Sequence, residues 1–318
     1  MIIDDPLRAI EPYWYAMDHE RGILYVNDLE EPNGMIAFSL ASGDWLRLIS
    51  VSQGEGPGEL RDLGGAVLAP EGGIYLWRYP KALHLDSRGV VVDEWRPDVQ
   101  QVWMDLCVFG GRPAVAVRGG LVRRGVDGGD DRIGWMSSGR GSPRVETVDE
   151  AVAVIGESMK TRLACRGDLA FVLPGRTAPA DSVFVYSTNR LERKLAIPSE
   201  LIEEAAMVAS GRLDVLADDG RGNLVLLGAD PFAEVPGAVM DPRSGCHALL
   251  RNPRPQLYRQ FVGVYADSAV VFQWDHEEET RGGERVVHVR DRANRVSLHP
   301  LQPLGGGEPC AGILPTLR

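Results

Sequence analysis

Positive charge is in short supply in this chain: 34 Lys and Arg stand against 45 Asp and Glu, a net charge of −11. Gripping a nucleic-acid backbone takes a basic surface, so DNA and RNA are excluded as partners. Cysteine is scarcer still. The four present, Cys107, Cys165, Cys246 and Cys310, lie far apart, and none belongs to a CxxC pair. That spacing speaks against a thiolate metal site and reads as small core or loop residues in a reducing cytoplasm. No apolar run reaches the length of a membrane-spanning helix. The opening MIIDDPLRAIEPYW has neither the basic nor the apolar region of a signal peptide. A cytoplasmic protein with no membrane partner is therefore expected. GxSxG, HExxH, Walker and Rossmann motifs are all missing.

What the chain does have is repetition. Six times a short apolar strand and a Gly- or Asp-containing turn lead into a second, strongly apolar strand. The second strands are GILYVND (22–28), GGIYLWRYP (72–80), RPAVAVRG (112–119), DLAFVLPG (168–175), GNLVLLGAD (222–230) and SAVVFQWDH (268–276). Their Val, Ile, Leu, Tyr and Phe content marks buried strands. Most are followed by a hairpin with a polar tip, such as ALHLDSRGVVVDEW or AVMDPRSGCHALL. The period, roughly 40–55 residues, is that of a four-stranded propeller blade. The expected fold is all-β: a six-bladed β-propeller with four-stranded antiparallel blades, filling 1–318 as a single domain. The blades fall near 13–51, 63–97, 103–145, 161–197, 212–252 and 261–301. Helix signals are few. PSELIEEAAMVAS (198–210) predicts one helix with Ser199 as N-cap, and DEAVAVIGES (149–158) a weaker second.

Between the first two blades runs SVSQGEGPGELRDL (50–63). A phosphate loop would need a Lys or an ensuing helix, and Glu55 and Glu59 would repel an anion. Glycines that permit a sharp reversal and a stiffening proline make this stretch an inter-blade corner instead. QGEGPGELRDLGGAVLAPEGGIYLW also resembles the signature of NHL-type and related bacterial six-bladed propellers, where a GxGPGEF-like stretch joins one blade's outer strand to the next blade's inner strand.

In such a ring each inner strand starts at the face where the central channel opens. The outer-to-inner and second-to-third strand connections lie on that face too. Starts of inner strands bring Glu11, Trp14, Asp105, Arg162, Asp214 and Phe261 there; ends of second strands bring Asn27, Asp28, Arg78, Tyr79, Arg118, Arg176, Asp230, Asp275 and His276. This mixed-charge funnel with aromatics suits a polar organic molecule or a peptide. Solvated rim polarity is the plain alternative for most of these residues. Arg162 and Asp105, turned toward a channel, need partners, and a structural pair between them or with Asp214 is the alternative to a binding role. His276, in QWDHEEE, has the carboxylates around it that would raise its basicity as a general base; an exposed histidine in an acidic loop is the competing reading. Trp14, Trp77, Trp103 and Trp274 suit the inter-blade core as well as a stacking platform.

The opening IEPYWYAMDHERGILYVND resembles the first blade of the gluconolactonase and regucalcin family, whose GExPxW motif carries a metal-binding glutamate. That resemblance implies Glu11 as a ligand of a divalent cation. The spacing to Trp14 departs from the family's, and its later ligand motifs have no counterpart. One glutamate is too few oxygens for a hard cation, so no cofactor is expected and a divalent-metal-dependent, lactonase-like hydrolase is the disfavoured further alternative. Two functions stand side by side. In one, the funnel performs metal-independent acid/base chemistry as a cyclase, lyase or hydrolase, with His276, Asp275, Asp105 and Asp214 carrying protons. Arg162, Trp14, Arg78, Tyr79 and Arg118 would hold the small-molecule substrate. In the other, a non-catalytic scaffold binds a peptide or protein.

Overall fold

The second strand of each repeat is apolar through its middle because both of its faces are buried there. In the computed structural model, Leu24 and Val26 pack one way, against Val270 and Phe272, while Tyr25 between them packs the other way, against Ile74 and Leu76. The alternation continues around the ring. Tyr75 and Trp77 meet Val115 and Val117; Ala114 and Ala116 meet Ala170 and Val172; Phe171 and Leu173 meet Leu224 and Leu226; Val225 and Leu227 meet Val271. Period-two alternation on a strand thus feeds six apolar seams, one between each pair of neighbours.

The structure describes residues 3–4, 12–28, 33–98, 105–117, 120–134, 162–173, 181–187, 191–207, 213–216, 219, 221–228, 235–250, 259–266, 268–281 and 284–300. A two-residue strand, β1 (Ile3–Asp4), comes first. The first blade is β2 (Pro12–Asp18), β3 (Ile23–Asp28), β4 (Gly34–Ser39) and β5 (Trp45–Ser50). A parallel pair, β6 (Ser52–Gln53) and β7 (Glu59–Leu60), then leads to the second blade. That blade is β8 (Gly65–Leu68), β9 (Ile74–Arg78), β10 (Lys81–Leu85) and β11 (Val91–Trp95). The third is β12 (Asp105–Phe109), β13 (Arg112–Val117), β14 (Gly120–Arg124) and β15 (Asp130–Gly134). The fourth is β16 (Arg162–Arg166), β17 (Leu169–Leu173), β18 (Ser182–Tyr186) and β19 (Leu191–Ala196).

Helix α1 (Ser199–Met207) carries the chain to the fifth blade and buries Leu201 against the seam of blades four and five. The Leu201 and Ile202 N–H groups donate to the Pro198 carbonyl, so the capping position falls one residue before the expected Ser199. The second helix expected, at 149–158, lies outside the described residues. Blade five is β20 (Leu213–Leu216), β21 (Leu224–Gly228), β22 (Gly237–Met240) and β23 (His247–Leu250). Blade six holds β24 (Arg259–Tyr265), β25 (Ser268–Arg281) and β26 (Glu284–Pro300), and takes its outer strand from β1, with Ile3 opposite Val296. The two ends of the described chain therefore meet in one sheet and close the ring.

Two expectations are corrected. The cysteines are not separate core or loop thiols: Cys107 on β12 and Cys165 on β16 form a disulfide across adjacent blades, and Cys246 is disulfide-bonded as well. QWDHEEE is not a loop either, because β25 continues through it to Arg281. Among the described residues no helix is long and apolar enough to cross a membrane.

Candidate functional site

The rim where inner strands begin is built from unlike parts. One is the corner after β5, where Glu59 turns back so that its Oε2 accepts the Gly56 N–H at 2.9 Å. The buried Lys81 donates to the carbonyl of Gly56 at 2.6 Å and of Glu55 at 3.3 Å. Gly58, at φ +71°, sits in the left-handed region that a side chain resists, and its N–H donates to Glu94 Oε2 at 2.8 Å. Burial pushes the Glu94 carboxyl upward, yet the Gly58 N–H, the Arg96 hydrogen bond and the Arg96 and Lys81 charges together hold it below its ordinary value. The stretch is therefore the inter-blade corner expected of it. The role of Lys81 is a surprise, since a lysine opening a strand carries no sequence sign that backbone carbonyls will receive it.

A second part is the channel mouth. Arg162 opens β16 in blade four and Trp14 lies on β2 in blade one, opposite it in a ring of six. The Arg162 guanidinium carbon stands 5.9 Å from the centre of the Trp14 ring, a cation–π contact reaching across the opening. Both residues are part-buried. Asp105, which opens β12, accepts the Leu106 N–H at 2.9 Å and the Leu163 N–H at 3.0 Å. It thus grips the neighbouring inner strand at the residue after Arg162.

The remaining candidates scatter. Arg78 pairs with Asp62 at 2.8 Å on the rim, both about half exposed, an arrangement worth little in energy. Tyr79 follows it, 39% exposed. Asn27 is buried and ties down the second-to-third strand connection through a 2.9 Å bond to the Gly34 carbonyl; Asp28 is buried beside it. Asp214 lies on β20 opposite Leu227, and Phe261 is buried in the seam of blades five and six. Glu11, Arg118, Arg176, Asp230 and Trp103 lie outside the described residues. Trp77 and Trp95 are both buried in the seam of blades two and three. There Tyr75 stacks on His84 at 4.6 Å, and burial together with the Glu71 charge lifts its phenol to about 12.

Asp275 and His276 stand on a ribbon. β24 pairs with β25 only from Arg259 opposite Gln273 onward, whereas β25 and β26 stay paired as far as Arg281 opposite Glu284. Residues 274–281 therefore run past the start of the inner strand by roughly 25 Å at the usual rise per residue. The ribbon leaves the blade at the same rim as Arg162 and Trp14, with His276 in register with Val289.

Among the described residues no group of three or more His, Cys, Asp or Glu could hold a metal ion. The chain matches no known protein family by sequence, and no curated protein matches it. In fold it is similar to solved structures. The WD40 domain of Pan2 from Neurospora crassa gives a TM-score of 0.45 at 11% identity, covering 82% of this chain and 86% of that one. A luciferin-regenerating enzyme gives 0.49 at 12%, covering 86% and 87%. A protein of unknown function from Bacteroides caccae gives 0.43 at 12%, covering 76% and 80%.

Proposed function

We propose that this chain is a binding propeller whose upper rim takes a small polar organic molecule bearing a carboxylate or carbonyl. The observation that carries this reading is the Arg162–Trp14 contact across the mouth. The Arg162 guanidinium, 5.9 Å from the Trp14 ring centre, is of the planar, forked kind that receives a carboxylate two-pronged. Trp14 offers the apolar wall that such a molecule lies against. Asp105 fits a proton carrier poorly, because each of its oxygens already accepts a backbone N–H. Acid/base chemistry of a cyclase, lyase or hydrolase would fall to Asp275 and His276 on the ribbon and to Asp214, and would need no metal. The bonded cysteines favour an oxidising compartment over the cytoplasm.

The test is a thermal-shift and calorimetric screen of organic carboxylates. At least one should bind the wild type, and Arg162→Ala should weaken it roughly tenfold or more while leaving the melting curve in place. Equal binding by Arg162→Ala would overturn the assignment.

A second reading, a non-catalytic scaffold for a peptide or protein, has its own observation. The outer strand of blade one exposes Trp45 (48%), Leu46 (45%) and Leu48 (40%) on the side of the ring, away from the mouth. The corner's likeness to NHL-type propellers favours the same class. Leu46→Asp would abolish such an association and leave carboxylate binding intact.

A further inference from the structure

The seam between blades three and four is cross-linked at three levels. At the upper rim Asp105 Oδ2 accepts the Leu163 N–H at 3.0 Å. In the middle Cys107 and Cys165 are bonded, their Cα atoms 5.5 Å apart although 58 residues separate them in sequence. At the lower turns the Gly110 N–H donates to the Gly167 carbonyl at 2.7 Å. The disulfide joins the two inner strands that carry the mouth residues. Asp105 precedes Cys107 by one intervening residue on β12, and Arg162 precedes Cys165 by two on β16. The bond lies in the apolar cluster of this seam, with Phe109, Ala114, Leu121, Leu163, Phe184 and Tyr186.

We propose that the Cys107–Cys165 disulfide is a redox latch on the mouth of the propeller, setting whether Arg162 is held over Trp14. A dithiol reductant opens it in two exchange steps. Its first thiolate attacks Sγ of Cys165, the half-buried partner, and Cys107 leaves as a thiolate that takes up a proton. The second thiol of the reductant then displaces Cys165 and closes the reductant's own ring, so the protein gains two electrons and two protons. With the covalent tie gone, β12 and β16 are held by hydrogen bonds and the apolar cluster, which lies below the Asp105–Leu163 bond. The Asp105–Leu163 bond, at the start of both strands, then opens first, since strand ends fray before strand centres. Arg162, one residue away, loses its fixed starting point. The latch rests on the binding reading only for what it controls; its own mechanics concern the seam.

Hydrogen exchange of the full-length oxidised protein tests it. In Cys107→Ala/Cys165→Ala, the Leu163 amide should exchange roughly tenfold faster or more, with the amides of β3 and β9 unchanged. Wild type treated with dithiothreitol, its bond states mapped by non-reducing peptide mass, should match the variant. An unchanged Leu163 amide in both preparations would overturn the latch. So would faster exchange through all six blades, because the bond would then be a condition of folding rather than a control on one seam. Arg162→Ala with the disulfide intact should keep Leu163 protected. If no carboxylate binds the wild type while the Leu163 result holds, the binding reading falls and the latch stands.

Discussion

The two rims of the propeller are made by different rules. The lower rim repeats itself. In blade two Asp86 accepts the N–H groups of Arg88 and Val90, and in blade five Asp241 accepts those of Arg243 and Ser244. Another blade-five turn closes on Asp219, which accepts Arg221 N–H, Asn223 N–H and the Asn223 side-chain amide. Side chains of one blade also cover a glycine of the next: Tyr265 lies on Gly22, Arg21 on Gly72 and Arg166 on Gly222. Among the described residues the upper rim shows no such repetition: it carries a Gly-rich corner, a helix, a long ribbon and an arginine beside a tryptophan. Closing a ring is the same task six times and has one solution; the upper connections are under no such shared demand, which leaves each blade free to differ.

That contrast can be broken deliberately. Asp219→Ala should have the largest effect, about 3 kcal/mol in urea unfolding, since it strands two buried donors and a part-buried one at once. Binding at the far rim should survive in whatever fraction stays folded. Gly222→Ala comes next, at about 1–2 kcal/mol, because Gly222 has φ +95° and a new Cβ would meet the Arg166 guanidinium. Ala266 offers the reverse experiment. It holds φ +52° in the blade-six turn where the other blades place glycine, so Ala266→Gly should raise stability by up to about 1 kcal/mol.

The smallest effect is in pH. Asp86 is held below its ordinary value mainly by the Val90 N–H and by Arg88, and Asp241 mainly by the Ser244 hydroxyl and the Arg243 N–H. A lowered folded-state value means that the stabilisation is full above the ordinary carboxylate range and disappears as pH falls through the depressed values. Asp86→Asn and Asp241→Asn should therefore lower the melting temperature slightly at neutral pH, leave it unchanged below the depressed values, and so flatten the acid limb of the profile. An unaltered acid limb would show that these turns hold equally well when protonated.

The blades could be read from the chain because their second strands obey a strong constraint: the middle of a strand buried on both faces, as in LAFVL or LVLLG, is kept apolar. The corner was legible for a similar reason, since a run of glycines around a proline fits few backbones. The disulfide was not, because pairing residues 58 apart requires knowing that two inner strands stand side by side. The ribbon was hidden by its composition. Three successive glutamates suggest a solvated loop, and the hairpin signal lies further on, in the GG of TRGGERVVHV. Topology gathered Arg162 and Trp14 onto one rim, but no pattern along the chain says that they touch.

Ring closure by β1 gives synthesis a sequence of events. Ile3–Asp4 leaves the ribosome before any of the six blades, and its hydrogen-bonding partner, the stretch around Val296, leaves only after blades one to five. Until β26 emerges the nascent ring is an open arc with two unsatisfied ends, β1 at one and the newest blade at the other. Each is an edge that a neighbouring nascent chain can pair with. Only the final hairpin of blade six removes both edges at once, so elongation across β25 and β26 is the interval in which this protein is most exposed to joining another copy of itself.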